Sequence, residues 1–447
     1  MRLTWVQPED LLLHAFVQAR AEGADVDGLE RRWTDAGGSP AVPVSGAADQ
    51  PAPPRLRALA AELLGAVDEA APAMPFDLAA ALDRASGVDQ RGGRAGADLA
   101  DKVHGGWLGR SAGCLLGKPV EKIPRAGIEE ILRDTGRWPL DDWFTAEGLS
   151  ADVASRWPWN RRSAPTSLAE NIAGMPEDDD LNFAVLALRL LETHGDALTT
   201  DDVAQAWLDN LPGGRVFTAE RVAYRNLLEG VDPDRAALER NPFREWIGAL
   251  IRADVHGWAH PGDVSGAMRS MWADARLSHT GAGVEGALWA AALASLAVAA
   301  EDVQVVLDDA STVLEPGGLV QVAVRRGTEL GRSDLTDDEA LDALHADFGH
   351  LHWVHVANNA ATIAFALARG DGDLGRSICV AVTAGWDTDS VGATVGGVVG
   401  AVAGADALPQ QWISPLQDRL STSLPGPSQL SLSGLAAATV ALSEGAR

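Results

Sequence analysis

The segment HGGWLGRSAGCLLGKPVE (residues 104–121) decides the architecture that we predict, because its glycines recur at the spacing of one helix face. Gly109, Gly113 and Gly117 follow one another at four-residue intervals, which aligns them along a single stripe of an α-helix. Glycine weakens a helix, so such a stripe indicates that another backbone or a ligand comes close to this face. A proline ends the helix, and Glu121 lies just beyond it.

A second glycine-rich helix is predicted near the C-terminus, directly after an acidic turn. One side of this helix is nearly without side chains, at Gly392, Gly396, Gly397, Gly400 and Gly404. The turn reads DTDS and lies between two very apolar segments. Its carboxylates, Asp387 and Asp389, can clamp one cation, with the Ser390 hydroxyl as a neutral ligand. A pair of N-cap residues on a core helix is the alternative interpretation.

A third acidic segment, Glu177–Asp180, opens the apolar stretch LNFAVLALRLLE. Capping and the helix dipole both favour carboxylates at a helix N-terminus, so an ordinary helix start is one interpretation. Four consecutive carboxylates repel one another, however, unless solvent or a cation lies between them. The three segments together offer about six or more oxygen ligands, as hard cations such as Mg²⁺ require.

The remainder of the chain predicts an all-α fold, because apolar residues recur at three- and four-residue spacing and no strand-turn-strand signature stands out. We expect a helical extension over residues 1–100, with an extended, mobile Pro/Gly-rich linker at about 37–54, and a catalytic domain over 101–447. The clearest predicted helices are Leu181–His194, Val203–Leu211, Val284–Ala300, Val354–Arg369 and Val391–Ala403.

Composition restricts the partners. The chain has 36 Lys and Arg against 63 Asp and Glu, which gives a formal charge of −27. Such a surface repels the phosphates of nucleic acids and anionic membranes, so we expect neither as a partner. Two cysteines in 447 residues do not form a disulfide framework and are typical of a reducing compartment. We therefore expect a cytoplasmic protein, and we expect it to be a monomer.

The three segments, taken in order, resemble the motifs of the ADP-ribosylglycohydrolase family. That family has a glycine-spaced helix ending in Gly-x-Pro-x-Glu, then a Thr-Asp-Asp-Thr-like helix start, and later a Gly-x-Asp-Thr-Asp-Thr segment. Here the equivalents are Gly117–Glu121, Glu177–Asp180 and Gly385–Ser390, and the resemblance covers roughly residues 102–420. It implies a compact, multi-helix fold with a dinuclear metal site at its centre, holding two Mg²⁺ or sometimes Mn²⁺.

The resemblance also implies roles for individual residues. By position, the metal ligands would be Glu177, Asp178, Asp179, Asp387, Asp389 and Ser390. Glu121 would be the catalytic base, with Asp178 as the alternative. His279, Gly281 and Gly283 would line the substrate site. The chain departs from the family pattern in having Cys114 where the family usually has Asp.

The function implied is metal-dependent hydrolysis of a ribosyl N- or O-glycosidic bond, with removal of ADP-ribose from a protein or a small-molecule acceptor as the main expectation. One alternative is hydrolysis of another small ribosyl glycoside or nucleoside-like metabolite. Another is a non-catalytic protein that binds ADP-ribose and metal without turnover.

Overall fold

A computed structural model describes residues 2–42, 46–48, 50–71, 76–89, 96, 98–160 and 162–445. Regular structure in these residues is almost entirely helical, which confirms the predicted all-α class. The described strands are β1 (Leu420–Ser421) and β2 (Gln429–Leu430), which pair antiparallel with Leu420 opposite Leu430. No helix among the described residues has both the length and the apolar character needed to cross a membrane.

The α-helices in chain order are α1 (Pro8–Ala21), α2 (Asp27–Asp35), α3 (Pro54–Ala70), α4 (Leu78–Asp89), α5 (Leu99–Gly117), α6 (Arg125–Asp134), α7 (Ala151–Arg156), α8 (Ala164–Ser167), α9 (Asp179–His194), α10 (Thr200–Asn210), α11 (Thr218–Leu228), α12 (Asp254–Trp258), α13 (Val264–Ala275), α14 (Gly281–Ala297), α15 (Val303–Ser311), α16 (Leu319–Gly331), α17 (Asp337–Phe348), α18 (Val356–Gly370), α19 (Leu374–Thr383), α20 (Thr388–Ala403), α21 (Gln410–Ile413) and α22 (Leu432–Gly445). Short 3₁₀ turns cover Lys118–Val120, Gly195–Ala197, Pro233–Arg235, Ile247–Arg252, Ala405–Ala407 and Ser414–Leu416.

The five clearest helix predictions are confirmed as α9, α10, α14, α18 and α20, with shifts at their ends. Four of them begin two or three residues before the apolar pattern does, for example at Asp179 rather than Leu181. The reason is that apolar periodicity marks only the buried face, whereas the first helical turn carries polar or small residues. The acidic residues of interest therefore lie within or next to these first turns.

The chain divides into two compact units. The first contains Met1–Phe76, Leu198–Ala249 and Ala273–Glu285. Within it, the N-terminal part packs on the middle segment through an aromatic cluster of Trp5, His14, Phe243 and Trp246, with Trp5 and Phe243 edge to face at 5.4 Å. The predicted division into residues 1–100 and 101–447 stays a prediction.

Part of the predicted linker is also described within the first unit. The backbone N–H of Trp5 donates a 2.7 Å hydrogen bond to the carbonyl oxygen of Gly46. Residues 43–45 and 49 of the linker lie outside the described residues.

The second unit contains Asp77–Ala197, Leu250–Trp272 and Gly286–Arg447, and its centre is the contact between α5 and α20. The two glycine stripes face each other along this contact. A Cβ on Gly109 would overlap the carbonyl oxygen of Gly396, and a Cβ on Gly113 would overlap that of Gly392. The prediction that each glycine stripe permits a close approach is confirmed, because each stripe is the other's neighbour. The helices run antiparallel, so the C-terminus of α5 lies beside the N-terminus of α20.

Candidate active site

The glycine contact brings the first and third acidic segments together. At its end, Thr388 Oγ1 donates a 2.8 Å hydrogen bond to the carbonyl oxygen of Gly117. Glu121 follows the end of α5 by four positions, and Asp387 and Asp389 flank Thr388 at the start of α20. The backbone packing of two helices therefore fixes the spacing between these segments.

The second acidic segment joins the same place through the N-terminus of α9. Asp178 is the N-cap residue, and its Oδ1 accepts a 3.0 Å hydrogen bond from the backbone N–H of Asp180. Asp180 Oδ2 accepts a 3.3 Å hydrogen bond from Ser390 Oγ on α20. The ordinary capping interpretation is thus correct for Asp178, and the carboxyl group of Asp180 contacts the third acidic segment.

A fully buried arginine on α5 holds the start of α9 in place. Arg110 Nη1 donates a 2.6 Å hydrogen bond to Asp254 Oδ2, and Nη2 donates a 2.9 Å bond to the carbonyl oxygen of Asp180. Nη2 also donates to the carbonyl oxygen of Ile251 and lies 3.7 Å from Asp180 Oδ1. The arginine has no exposed surface, so these partners are what make its burial tolerable.

The turn before α20 is held in an unusual backbone conformation. Gly385 and Trp386 have φ angles of +79° and +63°, a region that non-glycine residues rarely adopt. The Trp386 ring stacks on His345 at 4.1 Å, and the backbone N–H of Asp387 donates to Asn359 Oδ1 at 3.3 Å. Asn359 is itself fixed by hydrogen bonds from its Nδ2 to two backbone carbonyls before α18. These contacts direct Asp387 into the cluster.

The carboxyls of this cluster repel one another. Burial raises the pKa of Asp179, Asp180 and Asp387 well above the usual range, and the charges of neighbouring carboxylates raise it further. Burial and the same neighbours raise the pKa of Asp389 to about 7. Protons or a bound cation must therefore balance the charge at neutral pH.

Asp178 differs from the other carboxyls because a buried ammonium is paired with it. Lys118 Nζ makes an ion pair with Asp178 Oδ2, and it also lies 3.3 Å from the carbonyl oxygen of Glu177. Burial alone raises the pKa of Asp178, but the charge of Lys118 and the hydrogen bonds outweigh it, and the net pKa lies below the usual value. Both partners are consequently charged at neutral pH, since the pKa of Lys118 is raised as well.

Cys114 also lies against this part of the cluster. One ligand atom from each of Cys114, Asp178 and Asp180 lies within 4.8 Å of the other two, so the three residues form a candidate metal-binding group. Burial raises the pKa of the Cys114 thiol, and the adjacent carboxylates raise it further. A thiol that keeps its proton is a poor metal ligand, and it is especially poor for a hard cation.

Glu121 lies at the more open edge of the site. Its Oε2 accepts a 2.7 Å hydrogen bond from Asn160 Nδ2, and its Oε1 lies 2.9 Å from Lys122 Nζ. Its side chain keeps 18% of its surface exposed, so solvent can reach it.

Comparisons with known proteins identify the family of the chain. The family model described as ADP-ribosylglycohydrolase matches residues 95–444 of the 447. The chain belongs to the ADP-ribosylglycohydrolase family. Among solved structures, an ADP-ribosylglycohydrolase-related protein complex is similar, with 22% identity, 77% of this chain and 99% of that chain covered, and a TM-score of 0.49. No curated protein matches the chain.

Membership of the ADP-ribosylglycohydrolase family makes the chain a glycoside hydrolase. The predicted all-α fold and the predicted resemblance to this family are both confirmed. The second unit brings together Glu121, Asp178, Asp179, Asp387, Asp389 and Ser390 from the predicted site. Sequence reasoning missed Asp180, Lys118 and Arg110. Asp180 carried a signal, as the last of four consecutive acidic residues.

The remaining predicted residues have other partners among the described residues. Glu177 Oε1 accepts a 2.9 Å hydrogen bond from Asn182 Nδ2, and its role as a ligand stays a prediction. His279, Gly281 and Gly283 belong to the first unit, where His279 is buried with its Nδ1 2.8 Å from Ser278 Oγ and its Nε2 4.0 Å from Glu220 Oε1. Their assignment to the substrate site likewise stays a prediction.

The donor set of the cluster fits a hard divalent cation. Among the described residues, no Lys or Arg nitrogen lies within 4.0 Å of the carboxylates of Asp179, Asp387 or Asp389. Asp180 Oδ1 is buried and has no hydrogen-bond partner. Mg²⁺ and Mn²⁺ bind where several carboxylate oxygens and a hydroxyl lie together, and the bound ion relieves the repulsion between the carboxylates.

Proposed function

We propose that this protein hydrolyses a ribosyl N- or O-glycosidic bond and removes ADP-ribose from a protein or small-molecule acceptor, with Mg²⁺ as the cofactor and Mn²⁺ as the alternative. The observation that carries the proposal is the cluster of Asp179, Asp387 and Asp389, whose carboxylates lie close enough to raise one another's pKa and have no Lys or Arg partner within 4.0 Å among the described residues. Family membership supports the bond type. The resemblance described above implies two ions.

The residues of the cluster have distinct tasks in this proposal. Asp179, Asp387 and Asp389 hold the cation, and Ser390 provides a neutral oxygen next to them. A bound divalent cation lowers the pKa of a coordinated water and stabilises charge on oxygen.

Glu121 is the proposed general base. Its side chain is 18% exposed, whereas Asp178, Asp387 and Asp389 are buried, and Asn160 and Lys122 orient its two oxygens. It takes the proton of the attacking water at one oxygen as that water bonds to the anomeric carbon. The bond from this carbon to the acceptor breaks through an oxocarbenium-like transition state, and the acceptor leaves with the bonding electrons and takes up a proton from solvent. Asp178, the alternative base, is less suited because it is buried and its charge is paired with the buried ammonium of Lys118.

A panel of substrates tests which acceptor the protein releases from ADP-ribose. Release of ADP-ribose from ADP-ribosylated Arg and Ser peptides, measured with Mg²⁺ and again with EDTA, is the assay for the main function. Release of base from nucleosides, measured alongside, tests hydrolysis of a small ribosyl glycoside. Tight calorimetric binding of ADP-ribose with no product from any substrate would instead support the non-catalytic alternative.

The site assignment is tested with Asp387→Asn and Asp389→Asn. Both variants are expected to lose turnover and to bind Mg²⁺ more weakly, with an unchanged circular dichroism spectrum. Asp347→Asn, an exposed acidic residue paired with Arg326, is a control that should keep full activity. Full activity and intact metal binding in both site variants would rule out the assignment. We also propose that the protein is monomeric and cytoplasmic and has no nucleic-acid partner.

A further inference from the structure

We propose that Lys118 permanently takes the place of one of the two cations, so that the cluster binds a single divalent ion per chain. The inference rests on the proposed function, because it takes the cluster to be the metal site. It changes the expected chemistry, since a dinuclear centre and a mononuclear centre with an adjacent ammonium position the substrate differently.

The first argument is that each oxygen of Asp178 already has a hydrogen-bonding partner. Its Oδ1 accepts the backbone N–H of Asp180 at 3.0 Å and caps α9, and its Oδ2 accepts Lys118 Nζ. Both side chains of the ion pair are 7% exposed, so water contributes little to either charge. A cation that took Asp178 as a ligand would leave the ammonium buried without its partner, which is strongly unfavourable.

The second argument concerns the side of the cluster next to Lys118, formed by Cys114, Asp178 and Asp180. This is the compact group whose ligand atoms lie within 4.8 Å of one another. Lys118 pairs with Asp178 in this group, and Arg110 Nη2 lies 3.7 Å from Asp180 Oδ1. The side chains of Lys118 and Arg110 therefore already supply two positive charges on this side. Both would repel a divalent ion that bound there.

The third argument is the contrast with the open side, which we define as Glu121, Asp179, Asp387 and Asp389. The ammonium paired on this side is that of Lys122, which pairs with Glu121 and is 48% exposed. The charge of Lys118 also reaches Asp179 and Asp389, but its ion-pair partner is Asp178 on the other side. The uncompensated charge is concentrated there, and one divalent ion relieves most of it. The open side is thus where the single ion binds.

The test is a count of bound ions. Equilibrium dialysis of the full chain against Mn²⁺, with metal analysis of the protein, is expected to give one ion for the wild type and two for Lys118→Met. Lys118→Arg keeps the positive charge and should give one. Lys102→Met removes another buried lysine, which lies in α5 and pairs with Glu301, and should also give one. Electron paramagnetic resonance adds a second readout, because two adjacent Mn²⁺ ions are magnetically coupled and a single ion is not.

A wild-type count of two, or a count of one in a folded Lys118→Met protein, would overturn the inference. If Lys118→Met does not fold, the wild-type count and spectrum still decide. The proposed function fails separately: the wild type could bind one ion as inferred and yet release no ADP-ribose from any substrate, or release it while binding two ions.

Discussion

Ser390 Oγ donates a hydrogen bond to Asp180 Oδ2 over 3.3 Å, although the two residues are 210 positions apart. The bond joins the N-termini of α20 and α9, and both dipoles favour negative charge at that place. The cluster can therefore hold more carboxylates than its burial alone would allow. Several measurable consequences follow from how these helices are held.

The contact between α5 and α20 should not tolerate a side chain. A Cβ on Gly113 would overlap the carbonyl oxygen of Gly392, so the helices would have to separate. Gly113→Ala is expected to lower the free energy of unfolding by about 1–3 kcal/mol, measured by urea denaturation. Activity should fall as well, because the spacing between the first and third segments depends on this contact.

Gly65→Ala is the matched control for that variant. Gly65 is also in the interior of a helix, α3, but nothing lies within 4 Å of its added Cβ. It should gain up to about 1 kcal/mol from helix propensity. Equal effects of the two substitutions would contradict the role given to the glycine stripe.

Arg110 should be among the most sensitive charged residues of the second unit. Arg110→Met leaves the buried Asp254 without its ion-pair partner and is expected to cost about 3–5 kcal/mol of unfolding free energy. Adding Asp254→Leu should restore part of that loss, since it removes the stranded charge. Arg125→Met, whose partners Asp338 and Asp342 are 53% and 72% exposed, should cost no more than about 1 kcal/mol.

Metal affinity should rise with pH. Without a cation, Asp389 has a pKa of about 7 and burial raises the pKa of Asp179 and Asp387 well above the usual range, so binding must displace protons. The apparent affinity for Mn²⁺ should increase about tenfold per pH unit below pH 7 for each proton displaced. Calorimetry in buffers of different ionisation enthalpy measures that proton release. Affinity that does not change between pH 5.5 and 7.5 would argue against the open side as the binding site.

Stability without metal should show the opposite trend. The pKa of Asp389 is raised on folding, so its contribution is fully present below the unfolded pKa of about 4 and is lost as the pH rises through about 7. In EDTA, Asp389→Asn should therefore become more stable relative to the wild type as the pH rises from 4 to 8. Thermal denaturation measures the difference, and Mg²⁺ should reverse it by binding only the wild type tightly.

Much of this site could be predicted from the sequence because its segments are local patterns. The glycine stripe through Gly109 and Gly113 requires a close neighbour whatever the rest of the chain does, and the acidic residues before α9 signal a helix start. The close neighbour that each glycine stripe requires proved to be the other glycine stripe.

Lys118 and Arg110 could not be assigned in the same way. Nothing in the residues around Lys118 distinguishes a buried ion pair from an exposed lysine before a proline, because its partner Asp178 is 60 positions away. Arg110 depends on Asp254, 144 positions away, and on where the backbone of Ile251 passes. Only the folded arrangement identifies those partners.

The direct backbone contact between α5 and α20 also limits how this enzyme can change. With no side chains at the crossing, there are no residues whose gradual replacement could retune the distance between the metal-binding segments. New acceptor preferences must therefore arise in the connections around the site, such as the long segment between α6 and α9, while the crossing itself stays the same.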